Sequence, residues 1–183
     1  MNSFRIRCLA ALITCCVVSV SWSGQDKNED MQLKEMAESQ VRTKLQKHRA
    51  LKGSGQENRG LIRKYRLELA KRGDKSERRS LFAELKSKDL AEQSRALEDV
   101  AQLGDKEAIA QLGAMLDDPS EGGRYTRDQA FLPPRMVAAM KLAQKIENPP
   151  VPPIGAEKKF YVEDDVKKWQ KWWKKNKKQY GVE

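Results

Sequence analysis

Leu81-Phe82-Ala83-Glu84-Leu85 opens a helical phrase that the chain repeats. A polar turn follows at Ser87-Lys88-Asp89, then Ala96-Leu97, Val100-Ala101 and the corner Leu103-Gly104-Asp105. The second statement starts with Ile109, Leu112 and Met115-Leu116. It turns at Asp117-Asp118-Pro119 and continues with Arg135, Ala138-Ala139, Leu142-Ala143 and Ile146. A recurring helix pair with small residues on its inner face buries that face only against its neighbours, so it is a signal of architecture and not of chemistry. The spacing predicts that Leu97, Val100, Ile109, Leu112, Leu116, Ala139 and Leu142 pack together between antiparallel helices.

These residues resemble HEAT-like repeats, in particular the short type first described in phycobiliprotein lyases. The resemblance covers about 65 of the 183 residues. There are two departures. Gln93 stands where the second unit has Arg135, and an insert, Glu121 to Leu132, splits the second unit. The resemblance implies an α-solenoid used as a binding scaffold, and it brings no catalytic residues. The expected fold is therefore all-α: a short α-solenoid of HEAT-like helix pairs, capped by a C-terminal amphipathic helix.

Outward from the repeats, the chain divides into 1–23, 24–60, 61–147, 148–163 and 164–183. The first segment reads as a signal peptide. Arg5 and Arg7 precede an apolar run from Cys8 to Val20, and Ser21 and Ser23 place small residues before a cut at Gly24. That run is too short and too closely followed by charge for a convincing membrane span. A second reading takes Leu12-Ile13-Thr14-Cys15 as a lipoprotein signal with Cys15 lipidated, although Thr14 stands where a smaller residue is usual. Export to the periplasm or outside is the expectation. All three cysteines, Cys8, Cys15 and Cys16, lie in this leader. The cleaved chain then has no disulfide, thiolate nucleophile or Cys-based zinc site.

Charge comes in blocks. Residues 24–41 carry net −3, 42–79 net +10, 80–157 net −4 and 158–183 net +5. A mildly acidic repeat segment is thus flanked by two basic ones, a field that draws anionic surfaces or acidic partners.

Met31 to Leu51 reads as one helix with Leu33, Ala37, Val41, Leu45 and His48 on one side, and Lys52 to Gly60 as a Gly-rich linker. Leu61 to Arg72 follows as a short helix, with Ile62, Tyr65 and Leu69 inward and Arg63, Lys64, Arg66, Lys71 and Arg72 outward. Ser76 is a candidate cap for a helix over Glu77–Lys86. Helices Leu90–Leu103, Lys106–Leu116 and Arg135–Glu147 come next, the last opened by Pro133-Pro134. No strand alternation stands out. Asn148 to Pro153 reads as a stiff connector, and Asp164 or Asp165 as the cap of a last helix from Val166 to Gln179. The insert 121–132 reads as a disordered insertion, or as a functional loop if the chain has one.

The candidate partner-binding residues are Arg63, Lys64, Arg66, Lys71 and Arg72 on the first basic segment, and Lys171, Trp172, Trp173, Lys174 and Lys175 on the last helix. Trp172 and Trp173 point about 100° apart on a helix, so Trp169 and one of the pair should be buried against helix Arg135–Glu147, leaving the other more exposed. His48 is the only histidine and reads as structural. Asp117-Asp118 and Asp164-Asp165 sit where turns and caps favour Asp. No cofactor or metal is expected, and the chain reads as non-enzymatic: a scaffold for a protein partner or an anionic envelope surface. The alternatives are a peripheral membrane or nucleic-acid binder working through the Lys/Trp helix, the leader weighing against nucleic acid, or an envelope enzyme subunit using carboxylates near residues 121–132.

Overall fold

A computed structural model describes residues 31–51, 55–126, 129–155, 158 and 160–183. The expected leader, the first residues of the expected linker and the tip of the insert lie outside them. Residues 31–35 are helical and belong to a separate unit that ends at Met36. The second unit runs from Ala37 to Glu183.

That unit contains helices α1 (Glu38–Ala50), α2 (Gln56–Lys71), α3 (Lys75–Glu84), α4 (Leu90–Leu103), α5 (Lys106–Ala114), α6 (Pro134–Ala143) and α7 (Glu163–Asn176). Short 3-10 turns extend α5 over Met115–Asp117 and α7 over Lys177–Tyr180. The fold is predominantly helical, as expected. The insert supplies the exception. Gly123–Thr126 and Gln129–Phe131 pair as an antiparallel hairpin, with Gly123 opposite Phe131, where a disordered insertion was the expectation. Gly122 lets the base of this hairpin close, since a Cβ there would lie 2.2 Å from the carbonyl oxygen of Phe131.

Local chemistry sets the helix ends. Asp74, Asp89 and Asp105 cap α3, α4 and α5 by accepting hydrogen bonds from backbone N–H groups of the first turn. The cap of α3 is thus Asp74 and not Ser76, and the helix starts two residues early. Gly104 closes α4 in the left-handed region at φ 70°, where a side chain would be strained. α2 begins at Gln56, inside the expected linker, and the expected helix from Met31 breaks at Met36 and Ala37. In α7 the N-cap is Val162, whose N–H donates to the Asp165 carboxylate three residues on.

Each helix packs on the next, and α2, α4 and α6 also touch in that order, with α3 and α5 bridging them. Alanines on the inner faces, Ala96 and Ala101 in α4 and Ala138, Ala139 and Ala143 in α6, are buried and let these helices approach closely. Leu97, Val100, Ile109, Leu112, Leu116, Ala139 and Leu142 share one apolar cluster, as their spacing predicts. α1 covers α2 with Val41 and Leu45. α7 rests on α6 and on the turn after α5, while its 3-10 end touches α5. Among the described residues no helix is long and apolar enough to cross a membrane.

Candidate functional site

The two basic segments are built differently. In the first, arginine side chains turn back onto acids of neighbouring helices. Arg63 of α2 reaches Asp99 at 2.7 Å and Glu98 at 3.1 Å, both on α4. Arg66 bonds Glu77 at 3.2 Å and Glu84 at 2.7 Å on α3, and donates to the Ser80 hydroxyl. Glu77 also receives Arg49 from α1. Arg72 pairs with Glu68 one turn earlier. Arg78 grips Asp105 and Glu107 at the start of α5. Arg63, Arg66 and Arg78 are crosspieces between helices, and Arg63, Arg66 and Arg72 are half-buried where the periodicity places them outward. Lys71 is exposed and donates to Gln102. Lys64, half-buried beside them, is not without a partner of its own.

Electrostatics follow from that arrangement. Burial pushes the Asp99 carboxyl up, and the Arg63 guanidinium only partly offsets it. Asp105 is more open, and Arg78 holds its carboxyl below the usual carboxylate range. His48 fits the structural reading: its ring nitrogen and carbonyl meet the Asn58 side chain, and its ring lies 5.5 Å from that of Tyr65.

Gln93 and Arg135 do similar work near the starts of their helices. Gln93, buried near the start of α4, donates to the Leu85 carbonyl and to Asp118. Arg135, near the start of α6, donates to the Ser120 carbonyl and pairs with Glu121 and Glu163. Each ties the opening of its helix to a preceding turn. Asp118 is occupied there, accepting from Gln93 and from the Ser120 N–H.

The last helix has two distinct faces. Val166 and Trp169 are fully buried, and Trp173 is 5% exposed. Trp173 lies against α5 at Gly113, where a Cβ would meet its ring at 2.2 Å. The expected support was helix Arg135–Glu147; α6 does contact α7, while the Trp173 ring also lies against α5 at Gly113. The Gln170 amide adds a hydrogen bond to the Leu116 carbonyl. Trp172 is the more exposed of the adjacent pair, half-buried among Trp169, Trp173 and Tyr180.

The other face is lysine. Lys167 pairs with Asp164, and Lys168 stands 4.0 Å from Asp165. Lys171, Lys174, Lys175 and Lys178 are exposed and make no ion pair among the described residues. They follow one another at steps of three, one and three residues, so they share one side of the helix and its 3-10 extension. Like charges at that spacing repel one another, and an anion relieves the strain.

The expected site residues thus form two groups and not one patch. Arg63, Lys64, Arg66 and Lys71 sit on α2 and Arg72 caps its end; Arg63 and Arg66 tie α2 to its neighbours. Lys171, Trp172, Lys174 and Lys175 sit on α7 with solvent access, whereas Trp173 is buried in the core. Sequence reasoning missed Gly113 as a seat for an indole. It also missed Tyr161, which is buried in the Pro-rich connector and donates to the Pro152 carbonyl at 2.9 Å. Neither residue carries a local periodic signal. No protein-family model, curated protein or solved structure matches the chain.

Proposed function

We propose that this chain is a non-catalytic, exported binding scaffold that holds an anionic partner on the lysine face of α7. On this reading α2 to α6 are the HEAT-like pairs of a short solenoid, and α7 is its cap. The row of contacts α2, α4, α6, with α3 and α5 bridging, supports that arrangement. So does the closure of the far end by Trp169 and Trp173, since the last unit of a solenoid needs a cover for its bare inner face. The observation that carries the function is the division of cations. Arginines with described partners fasten helix to helix, while Lys171, Lys174, Lys175 and Lys178 are left to solvent in one row. An ammonium is a compact point charge suited to anionic groups of any geometry.

The test is binding to a soluble polyanion, polyphosphate, at rising salt. Replacing the four lysines by glutamine should leave the thermal midpoint within about 2 °C, because exposed substitutions cost little. It should abolish the salt-sensitive binding. Unchanged affinity in that variant would remove the lysine face from the function.

A further inference from the structure

We infer that the anionic partner is the headgroup surface of a phospholipid bilayer, met side-on by Lys171, Lys174, Lys175 and Lys178 with Phe160 and Val162 as an apolar edge. This rests on the reading of α7 as the binding element and names what it binds. Three observations lead to a bilayer.

The first is the position of the aromatics. An amphipathic helix that inserts into a membrane needs its apolar face free. Here Val166, Trp169 and Trp173 are committed to the core. Insertion of the helix is excluded, and contact through its charged face remains. The same burial removes the stacking platform that a single-stranded nucleic acid requires, since Trp172 is itself packed among Trp169, Trp173 and Tyr180.

The second is the charge. The row spans from Lys171 to Lys178, roughly 10 Å at the usual helical rise. That is about one Debye length at physiological salt, so the four ammoniums act on a charged plane together. The acids at the start of α7 do not cancel them, because each is matched locally. Glu163 pairs with Arg135, Asp164 with Lys167 and Asp165 with Lys158.

The third is the apolar edge. Phe160 is 68% exposed and Val162 is 43% exposed, on the residues that lead directly into α7. Between them Tyr161 points inward, which anchors this segment and turns its neighbours out. A soluble polyanion has no use for an exposed phenyl ring, whereas the acyl boundary beneath a headgroup layer does. An exposed apolar side chain on the same segment as a row of cations is a pairing that a bilayer surface rewards.

Co-sedimentation of the full chain with vesicles tests this. The vesicles are pure phosphatidylcholine, or three parts phosphatidylcholine to one part phosphatidylglycerol. Any apolar contribution common to all variants cancels in the ratio between the two compositions. That ratio should be large at low salt and collapse in 1 M salt. Each lysine near an anionic surface changes partitioning by about fivefold, so Lys171→Gln with Lys175→Gln should lower it by at least tenfold. The quadruple glutamine variant should lower it to near one. Phe160→Ser should weaken vesicle binding several-fold and leave polyphosphate binding unchanged. If the row binds polyphosphate but the chain shows no preference for the anionic vesicles, the bilayer inference fails and the scaffold reading stands. If the quadruple variant keeps both activities, the two fall together. If Phe160→Ser weakens both probes equally, the apolar edge is wrong.

Discussion

Gly113→Ala is the substitution whose sign the structure decides. In an open stretch of helix, alanine for glycine stabilises by about 0.5–1 kcal/mol, because glycine loses more backbone freedom on folding. At Gly113 the new methyl would lie 2.2 Å from the Cε2 and Cζ2 atoms of Trp173 and 2.5 Å from Cη2. Carbon atoms rest at about 3.5–4.0 Å, so the indole must retreat by roughly 1.5 Å. It has little room to do so, being 5% exposed and stacked on Tyr180 with ring centroids 5.6 Å apart. Overpacking of this kind costs about 1–3 kcal/mol. The helix gain offsets part of that, leaving a net loss of up to about 2.5 kcal/mol. At about 2–4 °C per kcal/mol for a unit of this size, the thermal midpoint should fall by up to about 10 °C. Gly60→Ala is the matched control. Gly60 lies within α2, and a Cβ there meets nothing within 4 Å. That variant should gain about 1–4 °C by the same conversion. On a Trp173→Leu background the Gly113→Ala penalty should shrink or reverse, because the interfering ring is gone. A Gly113→Ala midpoint raised as far as that of Gly60→Ala would refute the seating of Trp173 on α5.

Asp105→Asn separates charge from capping, since asparagine still accepts from the Ala108 N–H. The folded carboxyl sits below its unfolded value because Arg78 bonds it, so its stabilisation is present above pH ~4 and is lost as pH falls through the folded value. The variant should therefore cost about 0.5–1 kcal/mol at pH 7, and the gap between the two denaturation curves should narrow as pH falls below ~4. A gap that persists in acid would show that Arg78 is not its source. Arg63→Ala leaves the buried Asp99 without its guanidinium. It should cost about 1–3 kcal/mol in urea unfolding and less on an Asp99→Asn background, where no charge is stranded. Equal losses on both backgrounds would mean that the pair contributes nothing.

The helical part of this fold is legible where structure is local. α4 runs from Leu90 to Leu103 as its period predicts, because Asp89 and Gly104 mark its ends in the sequence itself. Helix starts fail where two residues compete for one cap. Asp74 takes α3 from Ser76 because its carboxylate reaches the N–H groups of both Ser76 and Glu77. The outward assignment of Arg63 and Arg66 fails for a different reason. Periodicity sends charge to solvent, whereas a long arginine can lie back along an apolar surface to an acid 36 positions away. No pattern within one helix encodes that. On α7 the sequence shows that Trp172 and Trp173 differ in exposure, but not which of them is inside. The choice depends on Gly113, some 60 residues earlier, and is settled by packing alone. The lysine row is visible in the sequence, yet its freedom is not, because whether a lysine has a partner depends on what the fold brings near.

Acylation footprinting of lysines, read by mass spectrometry with and without phosphatidylglycerol-containing vesicles, tests the two-faced last helix most directly. The account predicts that Lys171, Lys174, Lys175 and Lys178 react readily in the free protein and become protected together on binding. Lys86 and Lys88, exposed on the turn after α3, should keep their reactivity. Protection confined to α2 or to that turn, with the α7 row still reactive while the protein is bound, would contradict it.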